Sequence, residues 1–267
     1  MLQQKATILW NRPLSPDCFH LALSARSALT QAAAGQFVML RVGDSESPLL
    51  RRPFSIAGVL DQTDDLAAIE LLVKVVGVGT RMLSEMRAGE RLDIVGPLGC
   101  GFRVYGGDRR IYLAAGGIGV APIRFLISRL LTKGVAPGQC HLFLGGAGQA
   151  DLLCHDEFDA MGLAVTVTTD DGSHGSQCLI TDPLEMAIAA EIPDRVYACG
   201  PHGMLACVAG IVERFKVPCQ VSIETHMACG LGVCLGCAVK GCRQTDAYLH
   251  ACINGPVFDV GEIELAP

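Results

Sequence analysis

Five of the thirteen cysteines in this chain of 267 residues fall between Cys229 and Cys252. Three stand in Met227-Ala228-Cys229-Gly230-Leu231-Gly232-Val233-Cys234-Leu235-Gly236-Cys237, with Cys242 and Cys252 downstream. A C-x4-C-x2-C run followed by a distant cysteine is the spacing of plant-type [2Fe–2S] ligation. Four thiolates must converge on two irons there, and the intervening glycines let the backbone wrap closely and turn N–H groups toward the sulfurs. Cys242 and Cys252 are both candidates for the fourth ligand. Cys252 is the more distant, which suits a ligand arriving from a different strand. Structural zinc is the competing use of such thiols, but zinc sites usually show two paired knuckles, and here there is one close pair.

A second group of residues has the chemistry of dinucleotide binding. In Arg52-Pro53-Phe54-Ser55 an arginine can pair with a flavin pyrophosphate and a serine hydroxyl can bond the isoalloxazine edge. Gly77-Val78-Gly79-Thr80 precedes a helical segment over 81–86, where free N–H groups beside a hydroxyl would cradle a phosphate. Gly116-Gly117-Ile118-Gly119-Val120-Ala121-Pro122 follows an apolar run and opens a helix. Its glycines permit a tight turn and close approach of a nicotinamide dinucleotide, and Pro122 fits a first helical turn. Cys199-Gly200-Pro201 ends another apolar run; Cys199 either packs at the nicotinamide or is a buried structural thiol. Asp170 and Asp171 would repel a 2′-phosphate and accept hydrogen bonds from a free ribose, favouring NADH, unless they only shape a turn.

These residues need elements to hold them. Up to residue 103, short apolar runs at 36–42, 54–59, 69–76 and 91–95 alternate with glycine-rich turns, as in a small antiparallel barrel. From 104 to 216, apolar strands at 110–115, 141–145, 164–168 and 195–199 alternate with helical segments at 121–132 and 202–215. That alternation implies an α/β domain with a parallel sheet. Residues 217–267 show little periodicity, and a cluster is expected to staple them. The domains expected are therefore 1–103 for flavin, 104–216 for NAD and 217–267 for the [2Fe–2S] cluster.

Bulk composition agrees with a folded redox protein. Half the residues are hydrophobic, 18% are charged and the net charge is −6, which argues against a nucleic-acid partner. The most apolar stretch, residues 111–131, is broken by Pro122, Arg124 and Arg129, so no membrane span is expected. The first ten residues lack the apolar core of a secretory signal. Cytoplasmic location with reduced thiols follows as the expectation.

The motif order Arg-Pro-x-Ser, Gly-x-Gly-Thr, Gly-Gly-x-Gly-x-Ala-Pro, Cys-Gly-Pro resembles the ferredoxin–NADP reductase superfamily. With the terminal cysteines and Gly255-Pro256-Val257-Phe258, the whole chain resembles the electron-transfer subunits of bacterial two-subunit, NAD-dependent dihydroorotate dehydrogenases. The resemblance implies FAD held by Arg52, Pro53, Phe54 and Ser55, by Leu72, Val73 and Lys74, and by Gly79 and Thr80. It implies NAD(H) along Gly116, Gly117 and Gly119 and near Cys199, with Asp170 at the ribose. It assigns the cluster to Cys229, Cys234, Cys237 and Cys252, leaving Cys242 surplus, and Val78 fills a slot often charged in relatives. Hydride would pass from NADH to FAD and single electrons onward through the cluster, with no side chain acting as acid or base. The implied partner is an FMN-containing dihydroorotate dehydrogenase chain of pyrimidine biosynthesis, in a heterotetramer. The rival readings are the flavoprotein subunit of a ferredoxin:NAD(P) oxidoreductase or sulfide dehydrogenase and, more distantly, a zinc-stapled module without redox chemistry.

Overall fold

Strands with one face turned inward can remove every free edge by closing on themselves. The first hundred residues do so in the computed structural model, which describes residues 1–43, 47–60, 67–242 and 247–265. Strands β1 (Leu2–Ser15), β2 (Cys18–Ser24), β3 (Phe37–Arg41), β4 (Arg52–Leu60), β5 (Ala68–Lys74) and β6 (Arg91–Leu98) form a barrel in the order β1-β2-β5-β4-β3-β6. Every pairing in it is antiparallel. Ile8, Leu21, Leu23, Leu40, Ile56, Leu71 and Ile94 fill its interior. Helix α1 (Ser27–Thr30) lies between β2 and β3, and α2 (Val78–Glu85) follows β5. β1 and β2 were not among the apolar runs singled out above. In β1 only Ala6 and Ile8 are buried, and its outward Gln3, Lys5 and Arg12 mask any alternation.

The second layer is built on β7 (Ile111–Gly116), β8 (Cys140–Gly146), β9 (Ala164–Thr169), β10 (Arg195–Cys199) and β11 (Cys219–Ser222), all parallel. Helices α3 (Val120–Thr132), α4 (His155–Ala160), α5 (Thr181–Ala190) and α6 (His202–Phe215) connect them. β12 (Ala238–Lys240) and β13 (Tyr248–His250) form an antiparallel hairpin, and β14 (Val257–Asp259) returns antiparallel to β11. The sheet order β14-β11-β10-β7-β8-β9 reverses direction between β7 and β10. Ligands of open α/β sheets bind beyond the strand ends at such a switch point. The barrel, the parallel sheet and the cysteine-bearing C-terminal region thus follow in the order expected.

From residue 218 onward the sequence reads as irregular, yet β11 and β14 complete the sheet. Strands of four and three residues are too short for an alternation to register, and all four residues of β11 are buried.

A charged contact fastens barrel to sheet. Arg124 on α3 donates to Glu70 of β5 at 3.0 Å, to the Ala57 carbonyl at 2.9 Å and to Glu157 of α4 at 2.8 Å. His20 Nε2 lies 2.9 Å from the other Glu70 oxygen. Burial alone would raise the Glu70 carboxyl, but His20 and Arg124 outweigh it and hold it below its ordinary value.

Candidate functional site

Two cavities meet where the barrel abuts the switch point. The first, about 390 Å³, is lined from the barrel by Arg52, Pro53, Phe54 and Ser55 at the start of β4, and by Leu72, Val73 and Lys74 at the end of β5. Gly79 and Thr80 of α2 and Cys199 at the end of β10 also face it. The second, about 770 Å³, is lined by Gly116 at the end of β7, by Gly117 and Gly119 just beyond it, and by Asp170 after β9. Lys74, Ile118, Gly119 and Glu224 line both, so the cavities share a seam.

Local chemistry explains why the chain can pass so tightly here. A Cβ on Gly119 would lie 2.4 Å from the Cys199 carbonyl oxygen, so only glycine lets the turn after β7 pack on the end of β10. The Thr80 hydroxyl accepts from the N–H groups of Val76 at 2.9 Å and Gly77 at 3.1 Å. It holds the turn before α2, and Thr80 lines the first cavity beside that turn. The first-turn N–H groups of α2 remain the anion-binding feature.

Charge divides the two cavities. Arg52 lines the first, whereas the second is lined by Asp151, Asp170 and Glu224 with Lys74 as the one cation among the described residues. Lys74 Nζ lies 2.8 Å from Asp151 and 3.3 Å from Asp17; the Asp151 hydrogen bond is the largest cause of its raised pKa. Asp170 and Asp171 have separate parts. Asp171 Oδ1 accepts from the Ser173 N–H at 2.9 Å and from its hydroxyl at 2.6 Å, fixing the turn, while Asp170 borders the cavity.

Cys199 is 3% exposed, and burial followed by the nearby Glu224 charge pushes its thiol up to about 12, so it stays neutral. It faces the first cavity, and its backbone packs against the Gly119 turn that borders both cavities. Glu224 reaches solvent through the cavities, yet enough protein surrounds it for desolvation to raise its carboxyl. Sequence reasoning missed Glu224, and with it Thr225, Met227 and Pro256 of the first cavity and Asp151 and Met204 of the second. The one available signal was an acidic residue directly after the short run Gln220–Ile223.

Beyond the seam, residues 224–229 lead straight into the cysteine loop. Gly230 and Gly232 have φ of +69° and +77°, conformations that favour glycine, and they curl the loop around Cys229. The N–H groups of Leu231 and Cys234 point at Cys229 Sγ at 3.3 and 3.5 Å. Burial would raise that thiol, but these donors and the N–H of Val233 prevail and lower it to about 6. The β12–β13 hairpin brings the other two cysteines together: the Ala251 N–H donates to the Cys237 carbonyl, and the Cys237 and Cys252 sulfurs lie 3.2 Å apart. Burial, then the Cys237 thiol, raises Cys252 to about 11.

Among the described residues no three His, Cys, Asp or Glu side chains gather round one point as ligands of a single ion would. The four thiols instead form two pairs, Cys229 with Cys234 and Cys237 with Cys252, and a two-iron cluster takes two thiolates per iron. The donor set fits that cluster. Cys242 lies past the far end of β12, where its N–H donates to Glu262, and it lines a different cavity with Lys216 and Ile263.

Known proteins match this arrangement along the chain. Residues 5–102 match the oxidoreductase FAD-binding domain, 113–210 the oxidoreductase NAD-binding domain, and 224–264 the iron–sulfur cluster binding domain of dihydroorotate dehydrogenase B. A dihydroorotate dehydrogenase B (NAD+) electron transfer subunit from Desulforamulus reducens is 36% identical over 92% of both chains. One from Geobacillus is 35% identical over 99% of this chain and 100% of its own. Among solved structures, an NADH-dependent reduced ferredoxin–NADP oxidoreductase, studied for flavin-based electron bifurcation, superposes with a TM-score of 0.82. It is 28% identical, over 97% of this chain and 90% of its own.

Proposed function

This chain belongs to the family of dihydroorotate dehydrogenase B electron transfer subunits, and we propose that it relays electrons between NAD(H) and a separate, FMN-containing dihydroorotate dehydrogenase subunit. FAD supplies a carrier that exchanges hydride with nicotinamide and releases electrons singly, and the [2Fe–2S] cluster carries one electron at a time. The observation that carries the reading is the shared seam. Lys74, Ile118, Gly119 and Glu224 border both cavities, and the segment lining the first runs on into Cys229.

Each residue then has a task. Arg52 and the first turn of α2 bind the flavin pyrophosphate, and Pro53, Phe54, Ser55, Leu72, Val73 and Lys74 hold its ring system. Gly116, Gly117 and Gly119 admit the nicotinamide dinucleotide closely. Asp170 accepts from a free ribose and rejects a 2′-phosphate. The neutral Cys199 thiol, beside the Gly119 turn and facing the first cavity, packs at the nicotinamide without competing for hydride or proton. Cys229, Cys234, Cys237 and Cys252 hold the cluster. Residues 1–103, 104–216 and 217–267 serve as the flavin, NAD and cluster regions.

The dihydroorotate chemistry belongs to the partner. Leu231, Val233, Leu235 and Ile253 are exposed apolar side chains around the cluster cysteines, and an apolar rim there suits a docked subunit. No helix among the described residues is long and apolar enough to cross a membrane, and we assign the heterotetramer to the cytoplasm. An anaerobic pull-down of the tagged chain with mass spectrometry tests the reading: it should recover a dihydroorotate dehydrogenase chain. The near full-length superposition on the ferredoxin–NADP oxidoreductase favours a second reading. Under that reading a larger iron–sulfur flavoprotein is recovered instead.

A further inference from the structure

The second cavity has the wrong charge for the ligand assigned to it. A nicotinamide dinucleotide without a 2′-phosphate carries its negative charge on the pyrophosphate. The cavity is lined by Asp151, Asp170 and Glu224, with Lys74 as its one cation among the described residues. That cation is already engaged: Lys74 Nζ lies 2.8 Å from Asp151 and 3.3 Å from Asp17. The ammonium reaches toward the second cavity, since Asp151 lines that cavity and not the first. β5 packs on the turn Gly117–Gly119, and Lys74 shares the seam with Ile118 and Gly119. The free N–H groups that open α3 suit an anion there, within reach of a four-carbon lysine stem. Asp151, by contrast, stands on a fixed loop. The Asp170 N–H donates to the Gly146 carbonyl at 3.0 Å, the Asp171 N–H to the Ala147 carbonyl at 3.1 Å, and the Gln149 N–H to the Ser173 hydroxyl at 2.8 Å. A Cβ on Gly146 would lie 2.8 Å from the Asp151 Cβ, so the loop packs tightly against the end of β8.

We propose that Asp151 sets how tightly NAD(H) binds, by holding Lys74 in the empty site and yielding it to the pyrophosphate of the dinucleotide in the loaded one. This rests on the second cavity being the NAD(H) site. Asp151 is a positioning residue: it acts through Lys74 and not on the dinucleotide. The exchange explains how an acidic cavity admits an anion without trapping it. Lys74 must leave a carboxylate before it meets the phosphate, so opening the pair offsets part of the attraction. Re-forming the pair then favours release of the product. A point charge on a flexible stem suits such a move, and a partly exposed ion pair is weak enough to open.

The test measures ADP-ribose binding by calorimetry to the oxidised, FAD-loaded protein. ADP-ribose carries the same pyrophosphate and cannot exchange hydride. Asp151→Asn keeps the side-chain shape and removes the charge, Lys74→Met removes the cation, and the double variant completes a cycle. Asp151→Ser serves as a second neutral variant, and flavin absorbance confirms that each protein is loaded. The expected result is that Asp151→Asn binds about 5–10-fold more tightly than the parent and Lys74→Met about tenfold more weakly, each the effect of one charge in a partly solvated site. In the Lys74→Met background, Asp151→Asn should change affinity by about twofold or less. With NADH and a small artificial acceptor, Asp151→Asn lowers KM without raising kcat. A pair that served only to strap barrel to sheet would be broken equally by either single variant. A shift of both in the same direction would therefore overturn the proposal. So would a gain from Asp151→Asn that is equal with and without Lys74, because Asp151 would then merely repel the phosphate. A parent protein that binds no ADP-ribose would instead overturn the reading of the second cavity on which the proposal rests.

Discussion

At the residue scale, the cysteines make the sharpest division. Cys229→Ser, Cys234→Ser, Cys237→Ser and Cys252→Ser should each abolish or visibly alter the cluster's absorption and circular dichroism, while Cys242→Ser leaves both intact. A Cys234→Ser protein with an unaltered cluster spectrum would contradict the ligand set. Asp170 makes a comparable prediction for the nicotinamide. Because the second cavity is lined by three carboxylates and one lysine, Asp170→Ser should raise kcat/KM for NADPH relative to NADH by about tenfold, the size of one removed charge repulsion in a partly solvated site. Asp171→Ser, which loses only a turn-forming acceptor, should leave that ratio nearly unchanged. Cysteine and aspartate announce themselves because their spacing is itself the chemistry. Glu224 and Thr225 do not, since the mixed run Gln220–Ile223 before them is too short and too polar to mark the pair out. Only the fold shows that both line the first cavity and that Glu224 faces the second as well.

At the scale of elements, the contact between α3 and the barrel sets how the two cavities meet. Arg124 bonds groups on β4, β5 and α4. Arg124→Met strips Glu70 of its cation and should cost about 3 kcal/mol in chemical denaturation, as expected when one partner of a buried pair is removed. The same contact has a pH signature. The folded-state pKa of Glu70 lies below its ordinary value of 4.5. Its contribution is therefore complete above that value and disappears as pH falls through the depressed folded-state pKa. Glu70→Gln should lack this part of the acid loss, seen by comparing denaturation at roughly pH 7 and roughly pH 3.5. Strands β3 to β10 were legible from their apolar runs, and α3 and α6 from their length. The polar outer face of β1, the brevity of β11 and β14, and the Arg124 contact were not legible. The first hides its alternation, the second have too few residues to show one, and the third joins residues 54 positions apart.

At the scale of the whole molecule, the two cavities, their shared seam and the cysteine loop form one continuous course that ends at an exposed apolar rim. Val233 is 80% exposed on that rim. Val233→Glu should weaken capture of the dehydrogenase partner at least about tenfold in a pull-down titration, while NADH oxidation by a small artificial acceptor stays at the parent rate. The central claim is that electrons reach the cluster only by way of the flavin. Its most direct test adds a stoichiometric amount of NADH to the protein without oxygen and records the paramagnetic signal of the one-electron-reduced [2Fe–2S] cluster, before and after the flavin is stripped. A signal in the flavin-loaded protein that vanishes on stripping is the predicted result. A signal that survives flavin removal, or none in the loaded protein, would contradict the account.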